Sequence, residues 1–258
     1  MAHAGSVRLD GPLSQGGLVI GHTVPGASVL LNAQMVRVDQ DGVFLLGFGR
    51  NAKPQAVLEI TQGDGARETR NLKIAQREWK VQRINGLPKK QVTPDPKIIK
   101  RIRADNTLIY EVRALDTDVR GFEAGFAWPI SGIITGVYGS QRILNDKPRS
   151  PHNGIDIAAA KGTPIVAFAD GVVELVHHDM FYTGKTMMID HGHGLSSVYA
   201  HMSAIDVDDG QRVMKGQIIG RVGKTGRATG YHLHWGLSLF TTHLDPGLLL
   251  PPMVKSYP

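Results

Sequence analysis

Turn-forming residues recur along this chain at intervals that suit short strands and leave little room for long helices. Thirty-one glycines and fourteen prolines are spread over 258 residues. Pro25-Gly26, Asp41-Gly42 and Gly63-Asp64-Gly65 each separate brief apolar runs. Glycine reaches positive φ without a steric penalty and proline presets φ, so these clusters reverse the chain. The pattern predicts a mainly β protein. Over residues 1–76 the candidate strands are Val7–Leu9, Gly17–Ile20, Ser28–Leu31, Val36–Asp39, Val43–Gly47 and Ala56–Thr61. Asp41-Gly42 between two apolar runs is a hairpin signal. The spacing predicts a small β-sandwich module with no catalytic cluster, His22 standing isolated in it.

Residues 77–120 change character. Pro88, Pro94 and Pro96 punctuate the first half, after which Lys97–Ala104 and Thr107–Leu115 read as helical pieces. Asp95 could cap the first, with Pro96 in its first turn. The basic run Lys97, Lys100, Arg101, Arg103 reads as a solvated helix face, and the region as a connector. Residues 121–258 turn β-rich again. Gly132–Val137, Thr163–Phe168, Gly171–His177, Thr186–Asp190, Ser196–His201, Gln217–Val222 and His232–Leu239 are candidate strands. Met214-Lys215 lacks the flanking residues of a biotinyl or lipoyl lysine, so a carrier domain is not expected.

Composition narrows the chemistry. The chain has no cysteine, so any metal must be held by His, Asp or Glu. A net charge of +6 favours anionic partners such as nucleic acid, anionic lipid or the carboxylate-rich cell wall. No Lys/Arg block interleaved with aromatics occurs, so nucleic acid is not the expected partner. No run of eighteen apolar residues occurs either, so no transmembrane helix is expected. MAHAGSV is not a signal peptide; either the protein is cytosolic or a leader has been removed.

Most of the eleven histidines need no function. His177-His178 is expected to end a strand in solvent, and His191 and His193 read as loosely held turn residues. His232-Leu233-His234 differs, because residues i and i+2 of a strand share a face and both imidazoles would project together. The stretch SPHNGIDIAA adds His152 and Asp156. A straight strand would hold these about 13 Å apart. Ligands on one ion must lie far closer, so the chain has to bend at Asn153-Gly154, with Ile155 and Ile157 turned into the core. His152, Asp156 and one imidazole of the His232–His234 pair then make three ligands, and a catalytic zinc wants three plus an open position. Spacing alone leaves open whether both histidines of the pair bind, which would close the site. In SVYAHM, strand alternation puts Tyr199 and His201 on one face and makes His201 a candidate acid or base. H-E-x-x-H and G-x-S-x-G are both absent, which disfavours helix-based zinc proteases and common serine hydrolases.

HNGIDIAA, VYAHMS and GYHLHWGL, in this order, resemble the lysostaphin/LytM-type zinc metallo-endopeptidases, which cut peptide bridges of peptidoglycan. GTPIVAFADGVV and KGQIIGRVGKTGRATG extend the likeness over about residues 126–246. The resemblance implies an antiparallel β-sheet peptidase domain with a groove over a Zn2+ ion. It makes His152, Asp156 and His234 the zinc ligands and His201 and His232 the unbound catalytic histidines. No motif position is missing, although His193 departs from the usual residue after the hairpin glycine, and Gln141–Arg149 matches the variable loop before the first ligand. The implied substrate is peptidoglycan peptide stems, with a D,D-endopeptidase favoured by the appended β-module and connector. A glycyl-glycine endopeptidase is an alternative, as is a non-catalytic wall-binding or amidase-activating protein. A monomer in the periplasm or cell envelope is expected, with either the module or the connector able to cover the groove. The stretch 1–76 resembles immunoglobulin-like modules.

Overall fold

Seven short strands fill residues 8–73: β1 (Arg8–Asp10), β2 (Leu18–His22), β3 (Ser28–Leu31), β4 (Gln34–Val36), β5 (Val43–Gly47), β6 (Gln55–Thr61) and β7 (Arg67–Lys73). The computed structural model describes residues 7–85 and 96–253. Strands β1-β2-β5 make one antiparallel sheet and β4-β3-β6-β7 another, with Val19, Val29, Phe44, Leu46, Leu58 and Ile60 buried in one apolar cluster. Strand β6 alternates as expected, burying Ala56, Leu58 and Ile60 and exposing the residues between them. The Asp41-Gly42 turn is present, with Gly42 at φ +83° and the Asp39 carboxylate accepting from the Asp41 and Val43 amides. The expected strand Val36–Asp39 lies earlier, as β4, and Val38 makes only an isolated bridge to Phe44. Strand β7 was not legible, because its sequence RETRNLK buries only Leu72.

Next come β8 (Val81–Ile84) and α1 (Pro96–Arg113). The two expected helical pieces are one continuous helix. Asp105-Asn106 is a weak helix-forming pair, but the Asp105 carboxylate accepts from the Phe181 amide at 2.7 Å, a tertiary bond that holds the helix through this point. Beyond it Ile109, Val112 and Leu115 pack on Leu175, Met188 and Val198. The basic face is not only solvated, since Arg101 pairs with Asp179 at 2.7 Å. The proposed cap Asp95 lies outside the described residues.

The remainder is a run of strands: β9 (Ile133–Gly136), β10 (Gln141–Leu144), β11 (Lys147–Pro148), β12 (Ile155–Ala158), β13 (Pro164–Val166), β14 (Gly171–Met180), β15 (Gly184–Gly192), β16 (Leu195–Met202), β17 (Ala204–Ile205), β18 (Arg212–Val213), β19 (Ile218–Arg221), β20 (His232–Leu239) and β21 (Thr242–Leu244). The main antiparallel sheet runs β18-β14-β15-β16-β20-β12-β9, with β21 paired to β20. Helix α1 covers one face of its centre, so β15 and β16 are buried almost throughout and lose the two-residue alternation of a one-sided sheet. Strands β13-β19-β17 form a small sheet, and β8 pairs in parallel with β10. The segment expected as a variable loop is therefore a β10–β11 hairpin extended by the connector.

The early sheets and the main sheet share apolar packing. Leu18, Val43 and Leu45 belong to the same buried cluster as Ile155, Trp235 and Leu237. Arg77 bridges them through Asp245 at 2.8 Å and the Gln15 carbonyl at 3.1 Å. Arg37 pairs with Asp116 and Asp118, and Arg120 with Asp41.

Candidate metal centre

The bend at Asn153-Gly154 is what assembles the site. Residues 151–154 lie outside any strand and β12 begins at Ile155. Ile155 and Ile157 are buried in the core, which turns Asp156 the other way. A side chain at 154 would meet His234 Cε1 at 3.0 Å and overlap the Trp235 backbone, so only glycine lets the chain pass there. Strand pairing does the rest: Asp156 stands opposite His234, and Ala158 opposite His232. His152 Nε2 lies 3.0 Å from Asp156 Oδ1, His234 Nδ1 lies 2.8 Å from the same oxygen, and the two ring nitrogens are 3.0 Å apart. These are the residues among those described whose ligand atoms cluster as a metal site would require, all within 4.8 Å.

The donor set fits a divalent ion. His152 Nδ1 is 3.1 Å from the Val137 carbonyl, so its N–H donates there and Nε2 keeps its lone pair toward the cluster. Burial would raise the Asp156 pKa, but hydrogen bonds and charge from His152 and His234 hold it well below the usual carboxylate range, so it is ionised. Two imidazole nitrogens and one carboxylate oxygen converge without enough protons to bond all three to one another. Tetrahedral zinc with bonds of about 2.1 Å separates its ligands by roughly 3.4 Å, so a small outward adjustment accommodates it. Gly136, opposite Asp156 on β9, completes the cradle, since a methyl there would crowd the Asp156 carboxylate at 2.8 Å from Cγ.

His201 and His232 stand beside this cluster. Their ring centroids are 4.7 Å apart, and His201 is 6.3 Å from His234. Nδ1 of His201 lies 2.8 Å from the Thr225 carbonyl and Nδ1 of His232 lies 3.0 Å from the Gly230 carbonyl. Each Nδ1–H therefore donates to backbone, which leaves each Nε2 unprotonated, and Nε2 of His232 lies 3.9 Å from Asp156 Oδ1. Burial pushes the His201 imidazole down to about 4, against the Thr225 bond, which raises it. His201 does not share an environment with Tyr199, as alternation predicts. Tyr199 is fully buried, its hydroxyl accepting from the Phe168 amide, whereas His201 is half-buried among the site histidines. The reason is its backbone: His201 sits at φ +62°, which breaks the strand's alternation at its last turn and carries a cost of about 1–2 kcal/mol.

The other histidines stay apart. His191 and His193 are not loosely held, being buried. Nδ1 of His191 donates to the Asp170 carbonyl at 2.6 Å, and its Nε2 is 2.7 Å from Ser197 Oγ. His193 packs edge-on against Phe122. His177-His178 does not end its strand, since β14 continues to Met180 and only His178 is exposed. His22 lies 3.6 Å from Asp10. Sequence reasoning missed Thr225, Gly136 and the Val137 carbonyl. The glycine-rich turn before His232 was the available signal for the first; the others emerge only from strand pairing.

Residues 150–246 match the model of peptidase family M23. The chain carries a peptidase M23 domain. The chain is 40% identical over 109 residues to the peptidoglycan DD-endopeptidase ShyA of Vibrio cholerae, covering 42% of this chain and 25% of that protein. It is 48% identical over 84 residues to the DD-carboxypeptidase/endopeptidase Mpg of Neisseria meningitidis, covering 33% and 19%. A solved structure described as a peptidase M23 from Pseudomonas aeruginosa superposes with a TM-score of 0.67 at 26% identity, over 92% of this chain and 93% of that one. The chain thus spans a quarter or less of the lengths of these two curated relatives. At 92% of this chain, the last likeness reaches well beyond residues 150–246. No helix among the described residues is long and apolar enough to cross a membrane.

Proposed function

We propose that this chain is a zinc-dependent endopeptidase that hydrolyses peptide cross-links of bacterial peptidoglycan, acting on bonds between D-centres. The observation that carries the reading is the convergence of His152, Asp156 and His234 on one point, with two further imidazoles beside it whose Nδ1 atoms are held by backbone carbonyls. In this reading the first three residues hold the ion. His201 and His232 stay unbound, so one coordination position is left to solvent. Zinc, when bound, supplies a Lewis acid that polarises a carbonyl and brings the pKa of water toward about 7.

The chain's own residues handle the protons. Nε2 of His201 or His232 accepts a proton from the attacking water as its oxygen bonds to the scissile carbonyl carbon. The same proton then passes to the leaving nitrogen as the C–N bond breaks, giving a free amine and a carboxylic acid, which ionises by releasing the second proton of the water. The second imidazole, its Nδ1–H already committed to a backbone carbonyl, stabilises the oxygen of the tetrahedral carbon only when its Nε2 is protonated as well. Burial keeps His201 neutral near neutral pH, so it is ready to accept. The bonds to Thr225 and Gly230 fix the tautomers that expose both Nε2 atoms.

Three units follow from this reading: a β-module over 1–76, a connector over 77–120 and the peptidase over 121–258. The setting is the cell envelope and the chain acts as a monomer. A non-catalytic activator is the rival reading, and the complete set of five site residues favours catalysis over it. Digestion of purified sacculi, read by product mass, tests the proposal: new free amines and carboxylates at cross-links support it. Intact cross-links after prolonged digestion with the full-length, zinc-loaded chain refute it.

A further inference from the structure

The loop 223–231 leaves β19 and returns at His232, closed by a bridge between Gly223 and His232. It supplies both carbonyls that orient the free histidines, Thr225 for His201 and Gly230 for His232. The segment after β14 meets it from the other side of His201. The His201 amide donates to the Thr183 carbonyl at 2.8 Å, and the Arg227 amide donates to the Tyr182 carbonyl at 2.9 Å. Gly184 and Gly226 approach so closely that a side chain on either would overlap the other's backbone. The two loops are thus one rigid wall beside the acid–base histidines.

That wall presents two cations, and one carboxylate, that of Asp105, touches it at the Phe181 amide. Residues 181–184 and 223–231 include Lys224 and Arg227 and no acidic residue. Both cations are exposed, and among the described residues neither pairs with a carboxylate. Arg227 is nevertheless held in place, its guanidinium lying over the Tyr182 ring at 4.3 Å. Stacking fixes the plane of a guanidinium and leaves its in-plane N–H groups free, the arrangement suited to bidentate binding of a carboxylate. Ordering the side chain in advance lowers the entropy lost on binding.

We infer that Arg227, with Lys224 beside it, recognises a free substrate carboxylate next to the scissile bond, which makes this site selective for anionic cross-links over uncharged bridges. The inference rests on the hydrolytic reading and names its substrate class. In a cross-link whose amine-side D-centre ends a side branch, the carbon bearing the scissile nitrogen also bears a free carboxylate. That group lies within one residue of the nitrogen that His201 or His232 must protonate. An internal glycyl-glycine bond has no such group.

The probe is a pair of cross-linked muropeptide dimers, one with this carboxylate free and one with it amidated. Binding is measured by calorimetry to the full-length Asp156→Ala chain, which cannot turn them over. The free acid is expected to bind about ten-fold or more tightly than the amide. That ratio should fall to near one in Asp156→Ala/Arg227→Ala and be partly kept with Arg227→Lys. Tyr182→Leu, which removes the stacking surface, should give an intermediate ratio. In turnover by the zinc-loaded chain, Arg227→Ala should raise KM for the free acid more than it lowers kcat. Equal binding of the two dimers with Arg227 present, or a ratio that survives Arg227→Ala, overturns the inference. A wild-type chain that cleaves neither dimer overturns the hydrolytic reading, while the calorimetric ratio still decides the role of Arg227.

Discussion

Replacing Gly136 by alanine should empty the metal site without unfolding the protein. Gly136 lies on β9, the edge strand of the main sheet, directly opposite Asp156. Its φ is not positive, so the backbone accepts alanine. The added methyl would overlap Asp156 Oδ2, its nearest atom, and stand 2.8 Å from Asp156 Cγ and 3.0 Å from its Cβ. Ordinary carbon–carbon contact begins near 3.5 Å, so the carboxylate must retreat by roughly 0.7 Å or more. Zinc ligands tolerate displacements of only about 0.2 Å. Changes to groups that merely orient ligands cost about 10–100-fold in affinity, and moving a ligand itself should cost at least the upper figure. Chelator competition should therefore show zinc affinity down by about 100-fold or more, with a matching loss of sacculus digestion at limiting zinc. The melting temperature of the metal-free chain should change by only a few degrees, because the site is at a half-exposed edge. Zinc affinity equal to the wild type would refute the claim that Asp156, fixed by this strand pairing, is a ligand.

Other expectations follow from the same geometry. His191→Ala should cost about 2–4 kcal/mol in urea unfolding, because it leaves a cavity and strips a buried partner from Ser197 and the Asp170 carbonyl. Gly192→Ala should be more damaging still: Gly192 sits at φ +89° against the Val119 backbone, and soluble yield should collapse. Burial, with the charges of Arg113 and His234 adding to it, pushes His243 down to about 4, while an unfolded histidine titrates near 6.5. The unfolded chain therefore binds the extra proton between these values. Stability from this group is complete above about pH 6.5 and declines as pH falls toward 4. Thermal melts from pH 7.5 to 4.5 should show a shallower decline in His243→Gln than in the wild type.

The sequence made the β-rich architecture legible because Gly, Pro and Asp-Gly turns carry their own backbone chemistry. It made the bend at Asn153-Gly154 legible for the same reason, since no regular element brings His152 and Asp156 together. What stayed hidden depends on contacts between distant segments. The helix runs through Asp105-Asn106 because Phe181 offers its amide there. His191 and His193 look like turn residues, yet α1, Phe122 and the adjoining strands bury both faces of β15. His201 obeys alternation in the sequence and departs from it in space, through one left-handed residue that propensity does not reveal. The parallel pairing of β8 with β10 likewise has no local signal, as Val81–Ile84 is a short run in a proline-punctuated connector.

Zinc content after dialysis, measured beside sacculus digestion on the same samples, separates the roles of the five residues. One ion per chain is expected in the wild type and in His201→Ala, with turnover nearly lost in the second, and none in Asp156→Ala. Zinc retained at full occupancy by Asp156→Ala, or lost from His201→Ala as readily as from the aspartate variant, would contradict a three-ligand centre flanked by a free acid–base histidine.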